Sequence, residues 1–252
     1  MNRKGNDTTG FPQTLTAETL RNFITTERGC THPRVGEIAG RRYIAKCGIW
    51  SAYSSDEHVH NELVADNLLR AAGLNVPASR EYRVDFHDGC GEKIVRLAAY
   101  GDALRPIMEA WGEDDAPLRE KIRAQAIAAY PVQALIAGID TFTWDNVKVD
   151  PDGNLWFVDN GASFDFRACG KRKGWFWTRS DVDHPLNGYL SLAKHPNQYD
   201  LRRILGRVDD AKLWAAAKEC RFSQLVAQLP EAYRKPELVD YAKALEEAST
   251  NN

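Results

Sequence analysis

The 252-residue chain contains no run of about 18 consecutive apolar residues, so no membrane-spanning helix is expected. Its first twenty residues, MNRKGNDTTGFPQTLTAETL, lack the apolar stretch of a secretory signal, which points to a protein made and used in soluble form. Charge of one sign is missing as well. With 33 Lys plus Arg against 35 Asp plus Glu, the net charge is -2. That balance excludes the footprint of a protein that wraps nucleic acid or coats an anionic membrane, and any polyanion it binds must be small and held locally. Cysteine is sparse: the five residues, Cys30, Cys47, Cys90, Cys169 and Cys220, are an odd number, widely spaced and without a Cys-x-x-Cys pair. Neither a disulfide framework nor a zinc site is expected, and a reducing cytoplasm is the default compartment. The histidines show no metal spacing either, since His58 and His60 are two apart on a helix start and point to different faces. What remains is ordinary globular material, 43% apolar and 27% charged, enough for one large domain or two small ones at roughly 100 to 200 residues each.

Residues 1–14 are polar and read as a disordered leader. Thr16 caps a helix carried by Leu20, Phe23 and Ile24 that ends near Gly29. The stretch RVGEIAGRRYIAKCGIW reads as a hairpin, residues 34–38 with 41–47 around Ala39-Gly40. EHVHNELVADNLLRAAGL follows as a helix with Val64, Ala65, Leu68 and Ala72 on one stripe, stopped by Gly73. EYRVDF and EKIVRLAAY are two more strands. From residue 103 helix dominates, with Pro117 near one start and Pro131 beginning or kinking another helix that ends at Gly138. NVKV and LWFVD then form a hairpin around Asp150-Pro-Asp-Gly153, and three helices close the chain at 209–219, 222–229 and 236–248. The sum is an α+β protein of two lobes, a small β-rich N-lobe with one helix (15–102) and a larger, mainly helical C-lobe (103–252) that carries a catalytic hairpin at 138–166.

That hairpin gathers Asp140, Asp145, Asn146 and Asp159, because short strands joined by a tight turn set Asn146 and Asp159 opposite each other at the open end. Asp and Asn at paired strand ends are hard oxygen ligands suited to magnesium, which takes one or two carboxylates and completes its shell with water and phosphate oxygens; they are equally common as turn and cap residues.

The order of parts carries more than any single one. A strand lysine (Lys46), a helix acid sixteen residues on (Glu62), an Asp/Asn loop (Asp140, Asn146) and a strand-end Asp before Gly (Asp159-Asn-Gly161) follow one another. This order resembles the protein-kinase-like fold, in the branch that includes the HipA toxins and the phosphoinositide kinases. Arg42-Tyr-Ile-Ala-Lys46 resembles the strand with the ATP-phosphate lysine, and His60-Asn-Glu62 through Gly73-Leu-Asn-Val-Pro77 resembles the HipA helix whose acid pairs that lysine. Gly138-Ile-Asp140 with Asn146 resembles the catalytic loop, and Trp156-Phe-Val-Asp159-Asn-Gly161 the metal-binding strand end. Asp159 to Ala168 followed by Gly170-Lys is also similar to phage-associated proteins with the same core. The resemblance covers about residues 28–170. It implies ATP and Mg²⁺ as cofactors, Lys46 on the phosphates with Glu62 holding it, Asn146 and Asp159 on the metal, and Asp140 as the base that takes the proton of the attacking hydroxyl, with Asp145 as alternative base or ligand.

Three departures qualify the likeness. Glu27-Arg-Gly-Cys-Thr-His-Pro33 stands where kinases have Gly-x-Gly-x-x-Gly, and looks more like the short HipA phosphate loop, with Gly29, Thr31 and His32 as its candidates. Six positions separate Asp140 from Asn146, and no His-Arg-Asp precedes the loop. Asn160 stands after the metal aspartate in place of Phe, so the familiar activation-loop switch is not expected. Leu97, Ala98 and Ala99 fall where the family receives adenine, an apolar strand end that core packing explains equally. Arg172, Lys173, Trp175 and Trp177 lie where a kinase holds its substrate, and an aromatic cluster ringed by solvated charge is the competing explanation. The expectation is a compact phosphotransferase with a protein Ser/Thr hydroxyl as acceptor, acting in the cytoplasm or as an effector secreted into a host cell without a cleaved signal. The alternatives are a lipid or small-molecule kinase and, from another class, a nucleotide-binding pseudokinase or phage accessory protein.

Overall fold

The computed structural model describes residues 9–26, 29–89, 91–143, 145–173, 181, 183–206 and 209–251. The first lobe is one antiparallel sheet in the order β1-β2-β3-β5-β4: β1 (Ile24–Thr25), β2 (Arg34–Ile38), β3 (Arg41–Cys47), β4 (Ser79–Asp85) and β5 (Glu92–Ala99). Helix α1 (Ala17–Arg21) is capped by Thr16, whose hydroxyl accepts from Thr19 N at 3.2 Å. It stops well short of Gly29, because the β-branched pair Ile24 and Thr25 leaves the helix to pair with Val35 and Arg34. The polar leader also ends earlier than expected. Residues 1–8 lie outside the described ones, but Phe11 is buried with its ring edge-on to Tyr43 at 5.1 Å, and Tyr82 donates to Pro12 O at 2.7 Å.

Strand alternation gives this sheet two unlike faces. Tyr43, Ala45, Cys47, Val95 and Leu97 face an apolar cluster completed by Phe11, Leu20 and Phe23. The opposite face carries Lys46 and Arg96, directly paired across β3 and β5. Helix α2 (Asp56–Ala71), capped by Ser55 on His58 N, covers that polar face. Its apolar residues Val64, Ala65, Leu68 and Leu69 belong to the core of the second lobe, with Tyr130, Leu135 and Phe164.

The second lobe begins with β6 (Arg105–Pro106), α3 (Ile107–Gly112) and α4 (Ala116–Leu135). α4 is one helix with Pro131 inside it, where a break or new start was expected from the sequence. Tyr130 and Leu135 on either side are fully buried, and that packing overrides the local preference of proline. β7 (Val147–Val149) and β8 (Leu155–Phe157) form the expected hairpin, and β6 adds a third strand. Its turn is held by Asp150, which accepts from Asn154 N at 2.8 Å and Trp156 Nε1 at 3.0 Å. Helices α5 (Pro185–Lys194), α6 (Tyr199–Leu205), α7 (Asp210–Glu219), α8 (Phe222–Ala227) and α9 (Pro236–Asn251) complete the lobe around Tyr189, Trp214 and Tyr241. Among the described residues no helix is long and apolar enough to cross a membrane.

The loop between α4 and β7 is braced by two glutamines. Thr141 Oγ1 donates to Gln133 Oε1 at 2.7 Å, while Gln198 donates to Gly138 O at 2.6 Å and accepts from Phe142 N at 2.9 Å. A Cβ on Gly138 would collide with Gln133 Oε1 and Thr141 Oγ1. Gly138→Ala is therefore expected to lower stability by about 1–3 kcal/mol, measured as a shift of the urea midpoint at unchanged m-value.

Candidate active site

Lys46, on the polar face of β3, is only 5% exposed. Its Nζ donates to both oxygens of Glu62 at 2.9 Å and lies 2.8 Å from Asp159 Oδ1. Burial works against the ammonium charge, yet the Asp159 and Glu62 carboxylates outweigh it and hold the Lys46 pKa above the ordinary lysine value. Asp159 shows the reciprocal effect: burial opposes its charge, and Lys46 more than offsets this, keeping it below the ordinary carboxylate value. Asp159 Oδ1 also accepts from Gly161 N at 3.2 Å.

Behind this trio stands a second charged layer that sequence reasoning missed. Arg96 is fully buried and donates from Nε and Nη2 to Asp66 Oδ2 at 2.9 and 2.7 Å, with Nη1 3.4 Å from Glu62 Oε1. Asp66 lies one helical turn beyond Glu62, so both carboxylates face the sheet together. The other oxygen of Asp66 accepts from Asn160 Nδ2 at 2.9 Å. Asn160, in place of the kinase Phe, thus hooks the strand end that follows Asp159 onto α2. Two sequence signals existed: a lone arginine inside the apolar run Ile94-Val-Arg-Leu-Ala98, and the i,i+4 spacing of Glu62 and Asp66.

The segment after Asp159 is fastened to α2 at further points. His58 pairs through Nε2 with Gly161 O at 3.2 Å and through Nδ1 with Ser54 Oγ at 3.0 Å. Burial, reinforced by Lys46, pushes the His58 pKa down to about 4, so the ring is neutral. Because a carbonyl only accepts, Nε2 carries the proton. Asn61 donates to Ser163 O at 3.0 Å. Gly170 passes so near the residues before α2 that a Cβ there would sit 2.7 Å from Ser54 Cα. Cys169 beside it is disulfide-bonded to Cys30, with Cα atoms 5.2 Å apart. This overturns the expectation of no disulfide: the bond spans 139 residues, and only folding of the two lobes brings its loops together. Cys47 and Cys220 are free thiols pushed up to about 11 and about 12 by burial, and Cys90 lies outside the described residues.

Asp140 is buried at the mouth of the braced loop. Burial, with the nearby charge of Asp159, pushes its carboxyl up to about 7, while Lys173 and Lys46 pull the other way. Asn146 Nδ2 donates to the Asp140 carbonyl at 2.9 Å. With its nitrogen so engaged, the Asn146 amide has its oxygen left to offer a cation. The six-residue spacing therefore still closes the loop. Asp145 lies 4.0 Å from Lys148 Nζ, and its charge adds to burial in pushing the Asp200 carboxyl up to about 6. Among the described residues no group of three or more His, Cys, Asp or Glu side chains forms a metal cluster. One carboxylate and one amide oxygen nevertheless suit Mg²⁺, which takes few protein ligands when phosphate supplies the rest.

The other candidates divide. Gly29, with φ of 101°, and His32, with φ of 49°, form a tight turn closed by His32 N donating to Gly29 O at 3.1 Å; Thr31 is buried within it. This turn joins β1 to β2, so its backbone caps the same end of the sheet as Cys30. Ala98 shares the face of Lys46 and Arg96. Leu97 lies in the apolar cluster on the opposite face with Ala99 packed against it, so strand alternation turns both away from the cleft. Arg172 pairs with Glu57, and Lys173 Nζ donates to Ala137 O at 2.8 Å and Ala162 O at 3.0 Å. Trp175 and Trp177 lie outside the described residues.

These lobes and this cleft define an α+β protein with a sheet-and-helix N-lobe over a helical C-lobe. Among solved structures the chain is similar to WaaP in complex with acyl carrier protein, at 18% identity over 79% of this chain and 88% of that one, with a TM-score of 0.42. It is also similar to the Helicobacter pylori proinflammatory kinase CtkA, at 10% identity over 94% and 93% with a TM-score of 0.43. The Cydia pomonella granulovirus kinase PK-1 matches at 12% identity over 92% and 91%, with a TM-score of 0.39. No protein-family model matches, and no curated protein matches.

Two predictions follow from that geometry. An Asp140 carboxyl raised to about 7 holds a proton that the unfolded chain releases near its ordinary value, so stability is lost as pH rises through that window. Asp140→Asn is expected to raise the melting temperature at pH 8, by the equivalent of on the order of 2–4 kcal/mol, with the gain shrinking toward pH 5. Thiol reductant, or Cys30→Ser, is expected to cost about 2–4 kcal/mol of unfolding free energy. Reductant added to the Cys30→Ser protein should cost nothing more.

Proposed function

We propose that the protein is an ATP- and Mg²⁺-dependent phosphotransferase that acts on a hydroxyl group, with a protein Ser/Thr side chain as acceptor and the HipA-like kinases as the nearest branch. The observation that supports this best is Lys46 Nζ held 2.9 Å from both Glu62 oxygens and 2.8 Å from Asp159 Oδ1. A lysine fixed by a helix acid and a strand-end aspartate is a cation positioned for phosphates. Asn146 and Asp159 would hold the metal, which when bound would neutralise the charge of the phosphates. Lys46 exchanges its Asp159 partner for phosphate oxygens and keeps Glu62. The turn at Gly29 to His32 covers the phosphates with backbone N–H groups. Asp140 accepts the proton of the acceptor hydroxyl as its oxygen bonds to the terminal phosphorus, and the bond from that phosphorus to the bridging oxygen of ADP breaks. A carboxyl poised near 7 is well matched to that task around neutral pH.

Transfer from γ-labelled ATP to proteins of a cell lysate, with Mg²⁺, tests the reading. Asp140→Asn is expected to reduce transfer by about 10²–10⁴-fold while nucleotide still binds. Asp159→Ala should abolish both transfer and the Mg²⁺-dependent part of nucleotide affinity. The wild-type rate should rise with pH up to about 7, since the base must be ionised. Transfer that survives in the Asp159 variant would sink the metal assignment, and nucleotide binding without transfer under any condition would mark a binding module instead.

A further inference from the structure

Asp140 also lines a recess of about 240 Å³, whose walls include Tyr53, Arg167, Cys169, Lys171 and Asn197. It holds the proposed base but none of the residues proposed for the metal, and Cys169 ties its wall to Cys30; an acceptor seated there would have its hydroxyl beside Asp140. Its charge is what sets it apart. The other cations where the lobes meet are occupied: Lys46 by Glu62 and Asp159, Arg96 by Asp66, Arg172 by Glu57, and Lys173 by the carbonyls of Ala137 and Ala162. Arg167 differs. Its backbone is fixed in a turn, donating to Lys171 O at 2.7 Å and accepting from Gly170 N at 2.8 Å, but its guanidinium has no ion pair or hydrogen bond among the described residues. Lys171 Nζ lies 4.2 Å from the centre of the Tyr53 ring and pairs with no carboxylate among the described residues. Among the described residues Asp140 is the single carboxylate lining the recess. The His195 imidazole reports the same positive field, being held below its ordinary pKa by burial and then by Lys173, Arg167 and Arg202.

An exposed guanidinium that shares a recess with the proposed base and has no ion pair among the described residues suits a phosphate or carboxylate, which it can grip through two parallel hydrogen bonds. We infer that the acceptor carries an anionic group next to its reactive hydroxyl, and that Arg167, with Lys171, recognises that group. This rests on the phosphotransferase reading and adds the substrate class to it. At about 240 Å³ the recess is smaller than the roughly 300–1,000 Å³ that enclose a drug-sized ligand, so it takes one acidic side chain or one small phosphate ester.

Two matched pairs of acceptors test this with the full chain, γ-labelled ATP and Mg²⁺. One pair is a serine peptide flanked by aspartates and its asparagine counterpart; the other is glycerol 3-phosphate and glycerol. The anionic member of at least one pair should be favoured tenfold or more in kcat/KM, and which pair responds tells a peptide from a small ester. Arg167→Ala should erase that preference through the acceptor KM, leave the KM for ATP unchanged, and be partly rescued by Arg167→Lys. Equal use of neutral and anionic acceptors would overturn the inference. So would a fall in kcat alone, which would place Arg167 on the transferred phosphoryl group. If no transfer occurs at all, calorimetric titration of the same four compounds into the chain loaded with a non-hydrolysable ATP analogue decides separately. Arg167-dependent binding of an anionic compound upholds the recess although the phosphotransferase reading fails, and its absence sinks both.

Discussion

Removing ions from water is costly, and a buried set of them persists only where every charge has partners. The face of the N-lobe sheet toward α2 is built from such a set: Lys46 and Arg96 from the strands and Glu62 and Asp66 from the helix, joined by the partly exposed Asp159 from the other lobe. An apolar interface there would slide or tilt at little cost. This one has directional bonds of 2.7–2.9 Å, which fix the rotation of α2 about its own axis and hence the place of the Glu62 carboxylate. The apolar stripe of α2 meanwhile packs into the C-lobe core. The helix is therefore shared, bound by charge to one lobe and by hydrophobic burial to the other, and the cleft geometry follows from it.

The segment after Asp159 depends on the same helix. Asn160 reaches Asp66, Gly161 O meets His58, Ser163 O meets Asn61, and Cys169 is bonded to Cys30 in the turn at Gly29 to His32. In a kinase with Phe after the metal aspartate, that side chain can leave its apolar socket and carry the strand end with it. Here the residue is a polar hook with a buried carboxylate as its partner, and withdrawal would leave Asp66 Oδ1 without its amide donor while Arg96 keeps Asp66 Oδ2. The disulfide adds a covalent link between the loops on either side of the cleft. Any opening of the turn at Gly29 to His32 thus moves the loop at Cys169 with it while the bond is intact.

Local pattern made the elements legible. Alternation around Ala39-Gly40 gives the hairpin 34–38 with 41–47 as observed, and the turn chemistry of Asp150 to Gly153 gives the second hairpin. The order of Lys46, Glu62, Asp140, Asn146 and Asp159 pointed to a set of side chains that the folded chain gathers in one cleft. What stayed hidden depends on tertiary contact. The terminal residues from Thr9 onward look like a leader until Tyr43 and Tyr82 supply hydroxyls to their carbonyls. Leu97 and Ala99 share an apolar run with Ala98, and only the strand register shows that alternation turns them to the far face. Pro131 argues for a break that burial overrules. The Cys30–Cys169 bond has no local signature, because spacing along the chain says nothing about two loops that meet across a cleft.

The two sides of Asp140 are charged in different ways, and the difference bears on order of binding. Lys46 is already neutralised by Glu62 and Asp159, so under the proposed function an arriving phosphate would displace the Asp159 contact, and a divalent ion taking over Asp159 would lower the cost of that exchange. Metal and nucleotide would then enter together. Arg167 and Lys171 have no carboxylate partner among the described residues, so an anion there would gain attraction without displacing one. Each charge that arrives also acts on Asp140. Cations favour its ionised form and anions its protonated form, and its position near neutrality makes it responsive to both. A chain with a net charge of only -2 can work in this way because the fields that matter are local, made by a few side chains across one cleft.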